Sequence, residues 1–390
     1  MGFLAASASI CYFRVSGSFN QQEKYHDLLE KLTAEGFRSI EHSADELSTG
    51  WVLFDDYDCS DFTAFSGSWH DHYLCFSLRQ DRRRVPAALL KRQISQLNEK
   101  FLAEKPTLNY VPKAEKEQIR DQARSLLLAR TLPTPSIYDV VWDTEKQLLR
   151  FCSLGQSMLD SFQGLFHQTF PGLRLQLFHP MAHALEIVPE QLQTALRHAN
   201  RAQTENALEQ IEANRWLGID FLQWLLYRTL NSDSRYQVTT PGSLLEKQPF
   251  TAFLDNRLVL TGGGHEGVQK IVVAGPQDHY LEVKAALRQS KQLEEATIHI
   301  QQNEDDAWKL TLKGDKFQFG SYRTPMVRPE KDPSDDPQLE AEAAFFTKLA
   351  AVEEGEQMFD SLLKTFLEIR LTDRWGEEQK IITKWLDESS

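Results

Sequence analysis

The sequence predicts an α+β protein with mixed or antiparallel sheets and packed helices. Strand–helix–strand patterns alternate with hairpin patterns in the first half, a second strand-rich region follows at 250–327, and an amphipathic helix occupies 338–370. The chain has 390 residues, of which 41% are hydrophobic and 25% are charged. This length predicts two or three domains, and this composition is typical of soluble globular proteins rather than of disordered ones.

The first half of the chain begins with a predicted strand at 7–15. A helix at 21–35 follows, because its leucines recur at helical spacing and Gly36 is a stop signal. The remaining elements alternate between apolar runs of strand length and amphipathic runs of helix length. In order they are strands 50–54 and 72–79, helices 86–104 and 113–131, strands 137–143 and 147–153, helix 155–169 and strand 173–178.

The second half begins with predicted helices at 189–213 and 218–230. The strands of the β-rich region are predicted at 253–260, 268–273, 297–301, 308–312 and 317–322, with a helix at 278–291 between them. The proline-rich, acidic stretch 325–337 indicates a linker, and helices at 338–370 and 377–386 follow. These patterns divide the chain into an N-terminal α+β region (1–80), a basic helical and βαβ region (81–215), a second α+β region (216–330) and an acidic C-terminal region (331–390).

Charge is distributed unevenly along the chain, whose formal net charge is −13. Residues 79–130 contain 13 Lys or Arg and six Asp or Glu, whereas residues 330–390 contain seven and 16. The asymmetry predicts a basic working surface on an otherwise acidic body. The alternative is a helical face that is merely solvated.

Four cations of the predicted helix at 113–131 share one edge, because at about 100° per residue they fall within about 80° of one another. They are Lys113, Lys116, Arg120 and Arg124. A row of this kind neutralises successive phosphates without reading bases. Basic surface helices are nevertheless common, so an ordinary solvated helix remains the alternative.

A second basic cluster, Arg82, Arg83 and Arg84, lies just before Pro86, with Arg79 close by. Guanidinium groups form paired hydrogen bonds with phosphate oxygens, so the cluster is a second candidate phosphate contact. The alternative is a solvated turn at a strand end. Because both basic elements lie within one short stretch, we expect them to share a face.

Two acidic patterns are weighed as magnesium sites of a nuclease. Asp55 and Asp56 belong to an acidic group without fixed partner spacing, which favours a solvated loop. Glu282 and Lys284 have the ExK spacing of many nuclease sites, but their surroundings predict a helix rather than the strand such sites use.

Other catalytic and metal-binding signatures are weak. His179 and His183 lack a third ligand, the glycines of 261–265 lack the GK[ST] ending of a phosphate-binding loop, and the four cysteines form no CxxC pair. The sequence therefore predicts no metal, no cofactor and no enzymatic activity.

Several motifs occur in an order that resembles the bacterial recombination-associated protein RdgC family. The first half contains Gly50-Trp51-Val52, Val85-Pro86 with Lys91, Lys113-Ala114-Glu115-Lys116 with Ile119-Arg120, and Leu127-Leu128-Ala129-Arg130. The second half contains Leu217-Gly218-Ile219-Asp220-Phe221-Leu222 with Trp224-Leu225, and Phe366-Leu367 with Arg370-Leu371 and Trp375. These stretches are similar to the GWV, LP…K, KxEKxx[IL][KR]…LLxR, LGxxFLxWL and FLxxRLxxxW patterns of that family.

The resemblance implies a DNA-binding protein without catalytic residues. Members form dimeric rings or horseshoes whose basic inner face surrounds duplex DNA with little sequence preference, and they restrain strand exchange by RecA-type recombinases. The chain's cations at basic family positions are Lys91, Lys113, Lys116, Arg120 and Arg130. Leu132 stands where the family has an aromatic dimer contact, and the prolines after it put the same ring closure in doubt.

The sequence thus predicts a non-catalytic, sequence-non-specific duplex-DNA-binding homodimer that modulates recombination or replication. We expect it in the cytoplasm, associated with the nucleoid, with double-stranded DNA and a RecA-type recombinase as partners and no membrane. Two alternatives stay open, a metal-dependent nuclease and an acidic protein-interaction scaffold that never binds DNA.

Overall fold

The computed structural model describes residues 2–17, 24–43, 45–63, 69–264, 267–275, 280–303, 306–325 and 337–387. The chain forms two compact units, each discontinuous in sequence. The large unit consists of Met1–Ser16, Glu145–Asp160 and Arg174–Ser390, and the basic unit consists of Gly17–Thr144 and Ser161–Leu173. The division into four consecutive regions stays a prediction.

The described residues form strands and helices in nearly the order that periodicity predicts. The strands are β1 (Ala8–Gly17), β2 (Leu47–Leu53), β3 (Trp69–His70), β4 (Tyr73–Arg82), β5 (Thr134–Asp143), β6 (Leu148–Phe151), β7 (Leu173–Leu177), β8 (Arg235–Gln237), β9 (Pro249–Gly264), β10 (Gly267–Ala274), β11 (Gln292–Gln301), β12 (Ala307–Lys313) and β13 (Gln318–Arg323). The helices are α1 (Lys24–Ala34), α2 (Ala87–Glu104), α3 (Lys113–Leu128), α4 (Gln156–Thr169), α5 (Pro180–Ile187), α6 (Glu190–Ala199), α7 (Ala207–Ala213), α8 (Trp216–Asn231), α9 (Leu281–Arg288), α10 (Pro337–Arg370) and α11 (Arg374–Asp387).

The predicted α+β class is confirmed. Within the basic unit the strand order is β5-β4-β2, with β3 paired to β4, and every one of these pairs is antiparallel. Within the large unit the order is β10-β9-β11-β12-β13-β1-β6, again with antiparallel registers. Most of the predicted linker, 326–336, lies outside the described residues.

One predicted helix is wrong in its extent. The stretch 189–213 is not continuous but forms α6 and α7, because Asn206 begins a new helix by accepting hydrogen bonds from the amides of Leu208 and Glu209. The helix α5 was not predicted. It begins at Pro180, which suits the first helical position because its ring fixes φ and the missing N–H has no partner there.

Trp51 organises the core of the basic unit. Its ring is fully buried and meets Phe76 and Phe162 edge-on, with ring centroids 5.1 and 6.0 Å away, while Nε1 donates a 2.8 Å hydrogen bond to Thr169. The preceding Gly50 is required by space, because a Cβ there would lie 2.4 Å from the Cα of Phe37. The GWV motif is therefore a packing feature, and Trp51 is a core residue.

Two RdgC-like motifs of the second half meet in the core of the large unit. Phe221 and Trp224 of α8 are buried, and their ring centroids lie 5.5 and 5.6 Å from the ring centroid of Phe366 of α10. Beside them, Arg370 donates a 2.8 Å hydrogen bond from Nε to Asp220. The LGxxFLxWL and FLxxRLxxxW patterns thus describe one packed helix pair rather than a reactive site. Among the helices that the structure describes, none has both the length and the apolar character that crossing a membrane requires.

Candidate nucleic-acid interface

Helices α2 and α3 pack against each other as a helical hairpin in the basic unit. Prolines define it: Pro86 and Pro112 precede the two helices, and Pro106 follows the end of α2. None of the 18 residues of α2 is fully buried, and its apolar side chains at helical spacing are half-buried. They are Leu90, Ile94, Leu97 and Phe101. The hairpin therefore presents most of its surface to solvent.

The cationic edge of α3 is exposed as the spacing predicts. Ile119 and Ala123 are buried and fix the orientation of the helix. Lys113, Lys116 and Arg120 are exposed, and none of the three forms an ion pair with any residue in the described ranges. Three positive charges thus project from a helix that is anchored by the neighbouring stripe of buried side chains, and such a row suits a polyanion.

Arg124, the fourth cation of the row, is already paired. Its Nε and Nη2 donate hydrogen bonds of 3.0 and 2.6 Å to the two carboxylate oxygens of Glu46. The pair remains solvent-accessible, with the two side chains 55% and 44% exposed. These hydrogen bonds raise the pKa of Arg124 above its ordinary value. Arg124 can contact a phosphate only by exchanging one anionic partner for another.

Glu46 also joins the two basic elements. Its backbone carbonyl accepts a 2.9 Å hydrogen bond from the amide of Arg83, while its carboxylate holds Arg124. The end of the α3 row and the 82–84 cluster therefore meet at a single residue, as their proximity in sequence predicts. Arg82 and Arg84, on either side of Arg83, are exposed and have no ion pair within the part of the chain that the structure describes.

Arg83 does not belong to the exposed surface, in contrast to its place in the predicted cluster. Its side chain is buried, and its two terminal nitrogens donate to backbone carbonyls of the segment before β2. The acceptors are Ile40, Glu41, Ser43 and Asp45. A guanidinium that donates to several carbonyls of one segment holds that segment in place. Arg83 is a structural residue here, not a phosphate ligand.

Arg79 is likewise engaged within the unit. It pairs with Asp81 at 2.9 Å and with Asp58, and its guanidinium lies over the ring of Phe37 at 4.4 Å. The exposed cluster is thus reduced to Arg82 and Arg84.

The other predicted contact residues are all on the surface. Lys91 on α2 and Arg130, two residues after the end of α3, are exposed. Leu132, at the dimer-contact position, is 73% exposed, which leaves it accessible to a partner. α3 ends at Leu128 rather than at 131, so Arg130 and Leu132 lie in the connection to β5.

The two nuclease patterns belong to different units, Asp55 and Asp56 to the basic unit and Glu282 and Lys284 to the large unit. Asp55 and Asp56 are both exposed in one loop, where partial desolvation raises the pKa of the Asp55 carboxyl group. Glu282 and Lys284 lie on the helix α9, as expected, and Lys284 is buried with its Nζ 4.6 Å from the ring centre of Trp385. Within the described ranges, no group of three His, Cys, Asp or Glu side chains is arranged to hold a metal ion.

The two histidines of the zinc hypothesis have separate structural partners. His179 caps α5 by accepting a 3.4 Å hydrogen bond from the amide of Ala182. His183 contacts the carboxylate of Asp360 through Nε2 at 2.6 Å. Both histidines are therefore explained by packing and capping.

A family model described as “Putative exonuclease, RdgC” matches residues 9–213, which is more than half of the chain. The chain belongs to the RdgC family. The match contains the whole α2–α3 hairpin, the 82–84 cluster and the connection to β5. No curated protein matches the chain. RdgC membership implies a recombination-related, DNA-associated role, and the resemblance inferred from the ordered motifs is confirmed.

Sequence reasoning missed one exposed residue of this surface, Tyr110. It lies in the loop between α2 and α3 and is 68% exposed. The sequence pattern that could have identified it is an aromatic residue between two prolines, Pro106 and Pro112, three positions before the first cation of the row.

Proposed function

We propose that this RdgC-family chain is a non-catalytic protein that binds duplex DNA without sequence preference and thereby modulates recombination or replication. The observation that carries the proposal is the exposed, unpaired state of Lys113, Lys116 and Arg120 along one edge of α3. Arg82 and Arg84 add two exposed cations beside this row, because Glu46 binds both Arg83, which lies between them, and Arg124 at the end of the row.

The chemistry of this surface supports binding to the backbone rather than reading of bases. Lysine ammonium groups and single arginines at helical spacing match phosphates along a strand, whereas base recognition needs amide or guanidinium groups fixed in a groove. The acidic remainder of the chain disfavours contact with DNA elsewhere, so the polyanion is directed to the hairpin. Affinity is then mainly electrostatic and independent of sequence.

The proposal includes a homodimer that forms a ring or horseshoe around the duplex, with Leu132 as one contact between subunits. An apolar side chain that is 73% exposed gains free energy when a partner covers it, which supports this assignment. The proposal further includes antagonism of a RecA-type recombinase and association with the nucleoid. Both follow if a protein with this surface coats the duplex on which strand exchange acts.

Fluorescence anisotropy with labelled duplexes of unrelated sequence, in EDTA and at two salt concentrations, tests the proposal. We expect equal affinities for all sequences, no dependence on divalent ions, and a fall of more than tenfold between 50 and 200 mM salt, since several phosphates are neutralised. Light scattering in the same buffers measures the oligomeric state. Absence of any binding at low salt would contradict the proposal and favour an acidic interaction scaffold.

A metal-dependent nuclease is the second candidate, because the description of the matching family model contains the word exonuclease. Its residues would be either Asp55 and Asp56 or Glu282 and Lys284. Incubating end-labelled duplex and single strands with Mg²⁺ or Mn²⁺ separates the two functions. Cleavage that EDTA abolishes would establish the nuclease, whereas intact DNA in the presence of complete binding supports the non-catalytic function.

A further inference from the structure

The loop at the tip of the α2–α3 hairpin exposes one aromatic ring. Tyr110 is 68% exposed, although it is flanked by the buried Val111 and follows the half-buried Leu108. Its other neighbour, Asn109, is exposed and polar. The ring is therefore not part of an extended apolar patch of the kind that docks another protein, but a single aromatic surface held out from the chain.

The loop that carries Tyr110 is held in place at several points. Pro106 and Pro112 restrict the backbone on both sides, and the amides of Lys105 and Leu108 donate to Phe101 and Lys105 with N···O distances of 3.1 and 3.0 Å. Val111 anchors the loop by burial. An aromatic ring presented by such a loop loses little conformational entropy when it stacks on a flat partner.

Cations lie on both sides of the ring in sequence. Lys113, three residues later, is the first residue of α3 and is exposed without an ion pair among the described residues. Lys105, five residues earlier, bridges the two helices by an ion pair of 3.7 Å with Glu115 and lies 4.4 Å from the ring centre of Phe101. An exposed aromatic ring within a few residues of an unpaired cation is the combination that single-strand-binding surfaces use, with the base on the ring and the phosphate on the charge.

We propose that Tyr110 is a stacking platform for an unpaired base, so that the hairpin tip binds single-stranded gaps, frayed ends or displaced strands in addition to the duplex. The inference rests on the proposed DNA-binding function and adds a second mode to it. The row Lys113, Lys116 and Arg120 supplies affinity for the backbone of any DNA, and Tyr110 adds affinity only where a base is out of the helix. In a closed duplex every base face is already stacked, so the ring gains no partner there.

The test compares variants of Tyr110 on a twelve-nucleotide oligothymidine and on a fully paired duplex, each labelled for anisotropy. Tyr110→Ala is expected to weaken single-strand binding about fivefold or more while leaving duplex binding unchanged, because loss of one stacked base has about that effect. Tyr110→Phe should restore single-strand affinity, since it retains the ring. Leu89→Ala, which truncates a 49%-exposed apolar side chain on α2, is the matched control and should change neither affinity.

A strand with 2-aminopurine at one position gives an independent signal. Stacking on Tyr110 should quench its fluorescence on binding, and Tyr110→Ala should remove the quenching that Tyr110→Phe retains. If Tyr110→Ala binds single strands as tightly as the parent, or weakens duplex and single strand equally, the stacking role is wrong. In that case weaker binding of a Lys113, Lys116 and Arg120 triple alanine variant would still support the proposed function. Failure of the parent to bind either DNA would overturn both.

Discussion

Arg124 and Glu46 form a two-point ion pair at the place where the α3 row meets the 82–84 segment. The pair orients α3 against the segment before β2, but it also neutralises the cation at this end of the α3 row. Exposed ion pairs of this type contribute little to stability, because water and salt screen them. Glu46 therefore acts mainly on the electrostatic potential of the surface and lowers its attraction for a polyanion.

Replacing Glu46 by Gln should strengthen DNA binding. The substitution removes one negative charge and leaves Arg124 available to a phosphate. We therefore expect a severalfold higher duplex affinity and a slope of log affinity against log salt that is steeper by about one. Arg124→Ala should weaken binding less than Arg120→Ala, because Arg120 has no internal partner to lose among the described residues. Anisotropy titrations at three salt concentrations measure both effects. A Glu46→Gln variant that binds no better than the parent would place Arg124 outside the interface.

Arg83 and Arg84 should respond oppositely to substitution. Arg83→Ala removes a buried guanidinium and takes its hydrogen bonds from the backbone carbonyls of Glu41, Ser43 and Asp45, so we expect a loss of about 3 kcal/mol in the free energy of unfolding. Arg84→Ala removes an exposed charge and should change stability by less than about 0.5 kcal/mol while weakening DNA binding. Urea denaturation followed by circular dichroism distinguishes the two. Equal stabilities would show that the Arg83 contacts contribute nothing.

His183 should make the stability of the large unit depend on pH. Burial favours the neutral ring, but the carboxylate of Asp360, assisted by Glu186 and Glu356, outweighs it and raises the pKa of His183. A pKa raised in the folded state means that the imidazolium form stabilises the fold fully below the unfolded-state pKa of about 6.5, and that this contribution is lost as pH rises through the folded-state pKa.

The stability difference between the parent and His183→Gln should therefore be largest near pH 6 and shrink at pH 8.5. Unfolding by urea at both pH values measures it, and Asp360→Asn serves as the reciprocal variant because it removes the charge that raises the pKa. A difference that is the same at both pH values would mean that His183 does not titrate with folding.

Local patterns predicted much of this fold because the elements carry their own signals. The prolines at 86 and 112 mark the starts of α2 and α3, and the spacing of the cations in α3 correctly predicted that they share an exposed edge. The buried positions of Gly50 and Trp51 also follow from a motif whose physical reason is close packing.

Long-range partners could not be predicted in the same way. The carbonyls that hold Arg83 lie 38 to 43 positions earlier in the sequence, and Glu46 lies 78 positions before Arg124. In the sequence the four arginines near 79–84 look equivalent. In the fold Arg83 is buried, Arg79 is paired with Asp58 and Asp81, and only the other two are exposed. Which charges remain available is a property of tertiary contacts, and it decides the electrostatics of the surface.

The salt dependence of duplex binding by a Lys113→Ala, Lys116→Ala, Arg120→Ala triple variant tests the central claim most directly. The matched control removes three exposed cations of the large unit, Arg235, Lys247 and Arg323, so both variants have the same net charge. We predict that the α3 variant binds all sequences more weakly and that its slope of log affinity against log salt is shallower than the parent's by about 2–3, while the control keeps the parent's slope. An α3 variant with the affinity and slope of the parent would contradict the assignment of this helix as the DNA-binding surface.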